Sequence, residues 1–268
     1  MLSKQIGVMQ SRLTPPRGRG IQFFPDGEGE WQKEFRYAQA AGVGHIQWVC
    51  NPDNPLFESA TRAVVREIIS QNGVSVHRMD IQFLTKRDVS SVQEDLIEKI
   101  CMSVADIGGG GIEVPLMEAS TLLDEAHCDT RIAALGRFIA AGERAGVAVA
   151  IETDLPPAKL ADILDRMPTL SVVYDAGNSA GMGYDVDEEM SFYGSRISNV
   201  HIKDKPKGGQ TVELGTGDVD FQRLFQRLSD LSYNGLITLQ AARGEEGKEI
   251  ETVKKQRAFV IQQYEKYF

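Results

Sequence analysis

Three apolar runs in the middle of the chain each end on a residue that binds metal ions or moves protons. Val147-Ala-Val-Ala-Ile-Glu152 ends on a carboxylate, Val172-Val-Tyr-Asp175 on a second, and Ile197-Ser-Asn-Val-His201 on an imidazole. A fourth run, Leu236-Ile-Thr-Leu-Gln240, ends on a carboxamide. Isolated carboxylates are rarely buried unless they are paired or bind metal. Two at equivalent strand ends, followed by an imidazole, favour one shared cation over separate core polar groups. Oxygen-rich donors of this kind favour Mn²⁺ or Mg²⁺, with Zn²⁺ also compatible. Gln240 either coordinates through its carbonyl oxygen or hydrogen-bonds to a ligand. In neither role does it take a proton as a carboxylate would.

Other groups belong to the same end of the molecule. Asp80 and Glu113 close the third and fourth apolar runs. Asp80 is placed to touch substrate hydroxyls or supply an acid/base group, and Glu113 to orient a ligand or contact substrate. His77, three residues before Asp80, faces the other way by strand alternation. Asn178 follows Asp175 closely, and a glycine between them ends the strand in a loop. Trp48, at the end of the second run, is either core filler or an apolar platform in the mouth of the site. Arg12, Lys203, Lys207 and Arg243 follow strand ends in an otherwise acidic chain, which suits binding of a phosphate or carboxylate. Lys203 is also placed to stabilise an oxyanion. Lys205 is expected to be a solvated charge, and Asp204 to pair with Lys203 or Arg243.

The elements that must position these groups alternate from end to end. Strand-like runs begin at Ile6, His45, Val74, Ile112, Val147, Val172, Ile197 and Leu236. Helical spacing follows in segments 31–41, 60–70, 91–105, 131–145, 157–166, 186–193, around Phe221 to Leu228, and 249–267. Residues 14–25 form a loop rich in Gly, Pro and Arg. Strands alternating with helices imply parallel pairing with right-handed crossovers. Eight such units in 268 residues fit a closed (β/α)8 barrel in one domain, 1–268, since such barrels need about 250 residues. No Gly-x-Gly-x-x-Gly follows the first strand, which argues against a dinucleotide fold. The Gly108 to Gly111 run precedes a strand and lacks the Lys-Ser/Thr of a phosphate loop.

A net charge of −9 and pI near 5.1 argue against a nucleic-acid partner. The three cysteines are widely spaced, which excludes a disulfide framework and fits a reducing compartment. No apolar run approaches the ~20 residues of a membrane span, and the N-terminus lacks the features of a signal peptide. A cytoplasmic location is the expectation.

At these residues the chain resembles the xylose-isomerase-like superfamily, the TIM-barrel sugar and sugar-phosphate isomerases and epimerases. The resemblance rests on Gly7-Val-Met-Gln-Ser-Arg12, Ile151-Glu152, Tyr174-Asp-Ala-Gly-Asn178, His201-Ile-Lys-Asp204, Gly215-Thr-Gly217 before Asp220-Phe221, and Tyr233-Asn-Gly235. It implies one divalent cation held by Glu152, Asp175, His201 and the position of Gln240, where the superfamily carries a second Glu. It implies an isomerase or epimerase acting on a small carbohydrate or sugar phosphate through a metal-stabilised enediolate, with Glu152 moving the proton. Many epimerases of this fold use two glutamates as opposed acid/base groups, and only Glu152 of that pair is present here. A dehydratase or lyase, needing one base, and a non-catalytic sugar-binding barrel are the alternatives. Homo-oligomers are common in the superfamily.

Overall fold

The computed structural model describes residues 2–15 and 30–268. Most of the Gly/Pro/Arg-rich loop expected at 14–25 lies outside the described residues.

Eight parallel strands close into a barrel in sequence order: β1 (Ile6–Met9), β2 (His45–Val49), β3 (Arg78–Asp80), β4 (Gly111–Leu116), β5 (Ala148–Thr153), β6 (Ser171–Asp175), β7 (Ile197–Ile202) and β8 (Leu236–Leu239). Strands β1 and β8 pair to complete the ring, with Gly7 opposite Thr238. The helices lie outside it, as crossovers between parallel strands require. A first short turn, α1 (Leu2–Gln5), enters β1, and α2 (Glu30–Ala41), α3 (Ser59–Asn72), α4 (Glu94–Asp106) and α5 (Cys128–Ala145) serve the first half. The second half carries α6 (Pro157–Arg166), α7 (Ala176–Met182), α8 (Val186–Tyr193), α9 (Phe221–Asp230) and α10 (Glu249–Tyr264). No helix among the described residues is long and apolar enough to cross a membrane.

Two differences from the sequence reading concern the site. The third strand is short, beginning at Arg78 rather than Val74. More consequentially, β6 runs into α7 with no loop between them. Asp175 is both the last strand residue and the N-cap, its Oδ1 accepting from Asn178 N at 2.7 Å. Gly177 is therefore a helical residue kept small by a neighbour. A Cβ there would lie 2.7 Å from Lys203 Cγ and 3.0 Å from its backbone carbon. The sequence shows a glycine after a strand, which reads as a break; the fold uses it for close packing of α7 on the end of β7.

Strand alternation sorts side chains between two cores. Outward residues such as Ile46, Met79, Ile112 and Val200 pack under the helices. Inward residues are unusually polar for a barrel core. His45 fills the space that Gly7 leaves open, and its Nε2 lies 3.3 Å from Thr238 Oγ1. Thr238 Oγ1 donates to Asn199 Oδ1 at 3.0 Å, and Asn199 Nδ2 donates to Gln47 and Glu113 at 2.8 and 2.7 Å. Every link spans strands, so this column ties the barrel wall together while carrying polar contacts from its floor toward its mouth. Buried polar groups cost stability unless partnered, and this chain supplies their partners.

Candidate metal centre

Glu152, Asp175 and His201 meet at the mouth of the barrel, above that column. Parallel register places Asp175 directly opposite His201 on neighbouring strands, and Glu152 lies near the end of the strand before them. One ligand atom from each lies within 4.8 Å of the others. Two ligands on opposite sides of an ion with ~2.1 Å bonds sit about 4.2 Å apart, so the cluster is of the right size for one cation. All three side chains are buried.

The orientation of His201 is that of a metal ligand. Its Nε2 lies 3.2 Å from Glu113 Oε2 and 3.1 Å from Gln47 Oε1. Its Nδ1 is buried, has no hydrogen-bond partner, and points to the side of Glu152, with Oε2 at 3.7 Å. A carboxylate behind one imidazole nitrogen and an unsatisfied nitrogen in front is the arrangement of a metal-ligating histidine. A buried orphan of this kind otherwise carries a desolvation cost with nothing to offset it. The residues present therefore fit a divalent cation. In the absence of metal, burial would push the His201 imidazolium down, but Glu113, Glu152 and Asp175 outweigh burial and raise it to about 9.

The two carboxylates are driven apart. Burial, reinforced by Asp175, raises the Glu152 carboxyl. Burial acts on Asp175 as well, yet Lys203 and His201 overcome it and hold Asp175 below its ordinary value. Lys203 Nζ donates to Asp175 Oδ2 at 2.9 Å and to Gln240 Oε1 at 3.1 Å. Asn178 Nδ2 donates to Glu152 Oε1 at 2.7 Å, leaving Oε2 directed toward His201. One carboxylate held as an anion and one shifted toward its protonated form is the division of labour that acid/base sites use.

Asp80 is buried beside the cluster, its Oδ1 without a partner, and burial together with Glu152 and Glu113 raises its carboxyl well above the usual range. Glu113 lies behind His201 rather than in the mouth, buried under Asn199, Gln47 and the imidazole. His77 sits at the opposite end of β3, its ring against Gly110. Trp48 offers no face to the mouth. It is fully buried under α2, edge-on to Trp31 and Phe35 at centroid distances of 5.9 and 6.0 Å. Since Gln47 points inward, its neighbour Trp48 must point outward, so core filling replaces the platform reading.

The cations also separate. Lys203 joins the cluster, and Lys205, expected to be solvated, donates to Asn178 Oδ1 at 2.9 Å. Lys207 turns away into a neighbouring groove alongside Tyr184 and Asp218. Asp204 pairs with neither Lys203 nor Arg243. It is fully buried and accepts from Gly215, Gly217 and Val219 backbone N–H groups at 2.8, 2.9 and 3.2 Å, fixing the loop after β7. Arg243 donates to Ser11 O and Thr14 O at 2.7 and 3.1 Å, tying the loop after β8 to that after β1. Arg12 lines the same hollow as Arg243, and burial, then Arg243, lower it to about 10.

Sequence reasoning passed over Gln47 and Asn199, which hold His201 in place. Their signal was present as polar residues two positions from other inward groups, His45 and His201, in otherwise apolar strands.

Comparison with known proteins places this geometry in context. Residues 35–262 match the xylose isomerase-like TIM barrel family. An inosose dehydratase of Clostridium perfringens is 25% identical over 159 residues, 49% of this chain and 53% of that protein. The chain thus spans about half the length of that dehydratase. The L-ribulose-5-phosphate 3-epimerase UlaE of Salmonella paratyphi A is 26% identical over 261 residues, covering 88% of this chain and 87% of the relative. Among solved structures, an L-ribulose 3-epimerase superposes with a TM-score of 0.76 at 17% identity, covering 97% and 94% of the two chains. The IOLI protein with a bound zinc atom superposes with a TM-score of 0.74 at 14% identity, covering 98% and 99%. At these identities the structural likeness establishes the fold.

Proposed function

Because this chain belongs to the xylose isomerase-like TIM barrel family, we propose that it is a divalent-metal-dependent isomerase or epimerase of a small sugar, sugar phosphate or keto-polyol. The observation that carries the reading is His201, held from behind by Glu113 with its Nδ1 unpartnered beside Glu152 and Asp175. Relatives that are sugar epimerases, and structural neighbours with bound zinc or magnesium, support it.

Glu152, Asp175 and His201 Nδ1 would hold the cation, with the Gln240 carbonyl oxygen available as a fourth donor. When bound, the cation supplies Lewis acidity that polarises a substrate carbonyl and acidifies the neighbouring C–H. Glu152 is the group that moves the proton: its carboxyl is raised by burial, and Asn178 fixes one oxygen so that the other is aimed. The Lys203 ammonium, anchored by Asp175 and Gln240, supplies positive charge for an oxyanion. Asp80 contributes a buried polar surface for substrate hydroxyls.

One observation favours a second reading. Gln240 accepts a hydrogen bond from Lys203 where the superfamily pattern has a glutamate, so Glu152 is the one carboxylate of that acid/base pair. A dehydratase needs one base on one face, and the inosose dehydratase relative agrees with that chemistry. Both readings begin with the same proton.

The test is C–H exchange in D₂O. Ketoses, aldoses and their phosphates are incubated with Mn²⁺-loaded protein and followed by ¹H NMR and mass. An isomerase or epimerase exchanges a carbon-bound proton with no change of mass other than the gain from deuterium, whereas a dehydratase product loses one water. Glu152→Gln retains the fold and stops the exchange. Absence of exchange in the wild type, or full exchange in Glu152→Gln, contradicts the proposal.

A further inference from the structure

We propose that Glu189 is a positioning residue for the metal centre, a claim that rests on the metal-centre reading above. Glu189 lies on α8, outside the site, and one of its oxygens holds both ends of the turn that carries Asp175 and Asn178.

That turn needs an anchor from elsewhere. Asp175 ends β6 and caps α7, while Asn178, in the first turn of α7, donates to Glu152 Oε1 and accepts from Lys205 Nζ. A displacement of residues 175–178 therefore moves Asp175 directly and Glu152 through Asn178, two of the three candidate ligands at once. Yet α7 has little with which to hold itself. Its sequence, Ala-Gly-Asn-Ser-Ala-Gly-Met, is seven residues long. Helices this short, and this rich in Gly, Asn and Ser, depend on tertiary ties. Its buried residues are Ala176, Gly177 and Ser179, and none of them has a large apolar side chain to key into the core. Ser179 alone of the three has a side-chain polar atom.

Ser179 Oγ donates to Glu189 Oε2, and Tyr174 Oη donates to the same oxygen at 3.0 Å. The two hydroxyl oxygens stand 3.4 Å from each other. Tyr174 immediately precedes Asp175, and Ser179 immediately follows Asn178. One carboxylate oxygen therefore closes the segment at both ends. Tyr193 Oη donates to the opposite oxygen, Oε1, at 2.7 Å. All four side chains are buried, and the partners of this carboxylate are three hydroxyls rather than a Lys or Arg. A buried carboxylate without a cation is costlier than an apolar side chain of similar volume, so packing alone would favour Leu or Met at this position. What the carboxylate adds is direction, because charge-assisted hydrogen bonds are short and strong. The helix that bears it is firmly seated, with Met190 and Tyr193 in the hydrophobic core. The tie thus runs from α8 through one oxygen to the junction of β6 and α7, and from there to Asp175 and Glu152.

Three variants of the full chain separate positioning from general stability: Ser179→Ala, Glu189→Gln and Tyr193→Phe. Each is titrated with Mn²⁺ by calorimetry, the bound Mn²⁺ is followed by EPR, and the metal-free protein is melted and its deuterium uptake over residues 174–182 measured. Ser179→Ala and Glu189→Gln should bind Mn²⁺ about 10-fold more weakly than the wild type, the scale of an outer partner of a metal ligand. Both should also change the Mn²⁺ EPR spectrum and take up deuterium faster over 174–182. Tyr193→Phe breaks a bond to the opposite oxygen, so it should lower the melting temperature while keeping the wild-type Mn²⁺ affinity and spectrum. Ser179→Ala removes a single oxygen and decides the matter if Glu189→Gln fails to fold. Wild-type Mn²⁺ affinity in Ser179→Ala, or an equal loss of affinity in Tyr193→Phe, overturns the positioning role and leaves the metal centre standing. A wild type that binds no Mn²⁺ overturns the metal-centre reading, and the role of Glu189 toward it falls as well.

Discussion

His201 and Glu113 form a buried imidazole–carboxylate pair, Nε2 to Oε2 at 3.2 Å, that leaves the other imidazole nitrogen as the atom facing the candidate cation site. Glu113 is in turn held by Gln47 Nε2 at 2.5 Å and Asn199 Nδ2 at 2.7 Å. The ring is thus fixed before any metal arrives, and its tautomer is set by a residue that does not touch the ion.

Glu113→Gln keeps the shape of the side chain and removes its charge. Outer partners of metal-bound histidines are typically worth 10- to 100-fold in metal affinity, and a loss of that size is expected here. Calorimetric titration with Mn²⁺, alongside thermal unfolding to confirm the fold, checks this. An affinity equal to wild type would mean that Glu113 does not position His201.

The strand ends that carry Glu152, Asp175 and His201 were legible because alternation and strand termination are properties of a linear pattern. The partners of His201 were not, because Gln47, Glu113 and Asn199 meet across the barrel, and their pairing depends on closure and register rather than on neighbours in sequence. Trp48 shows the same limit. Adjacent strand residues face opposite sides, and only the inward direction of Gln47 decides which side Trp48 takes. The α7 helix was hidden because Asp175 caps it with a carboxylate that also belongs to the site, and because Gly177 reads locally as a break. Lys205 and Lys207 sit two residues apart in one loop, and nothing in their types distinguishes the one that reaches Asn178 from the one that turns away.

Gln240→Glu would restore a second carboxylate beside Lys203, whose Nζ lies 3.1 Å from the present Oε1. With Glu152 and Asp175 close by and Lys203 already paired with Asp175 at 2.9 Å, a further buried anion is unfavourable without a second cation. The metal-free variant should melt below the wild type, and Mn²⁺ should raise its melting temperature by more than it raises that of the wild type. Differential scanning calorimetry with and without Mn²⁺ measures both. An equal Mn²⁺ shift in the two proteins would place residue 240 outside the ion's influence.

Glu34 gives a pH signature independent of the metal. Burial raises its folded-state carboxyl from 4.5 to about 8. Below the unfolded value both states are protonated and the stabilising contribution is complete. As pH rises toward about 8 the unfolded state ionises while the folded state still holds its proton, so stability falls through that window by up to a few kcal/mol and then levels off. Glu34→Gln should flatten this part of the curve. Urea unfolding between pH 5 and 9 compares the two proteins, and identical slopes would show that Glu34 ionises normally in the fold.

On the proposed chemistry, Glu152, Asp175 and His201 share one divalent ion. Crystals grown with Mn²⁺ and measured near the manganese absorption edge test it most directly. One strong anomalous peak is expected at the barrel mouth, within about 2.0–2.3 Å of His201 Nδ1 and of an oxygen from both Glu152 and Asp175. A peak elsewhere, or none with the three side chains still turned toward one another, would contradict it.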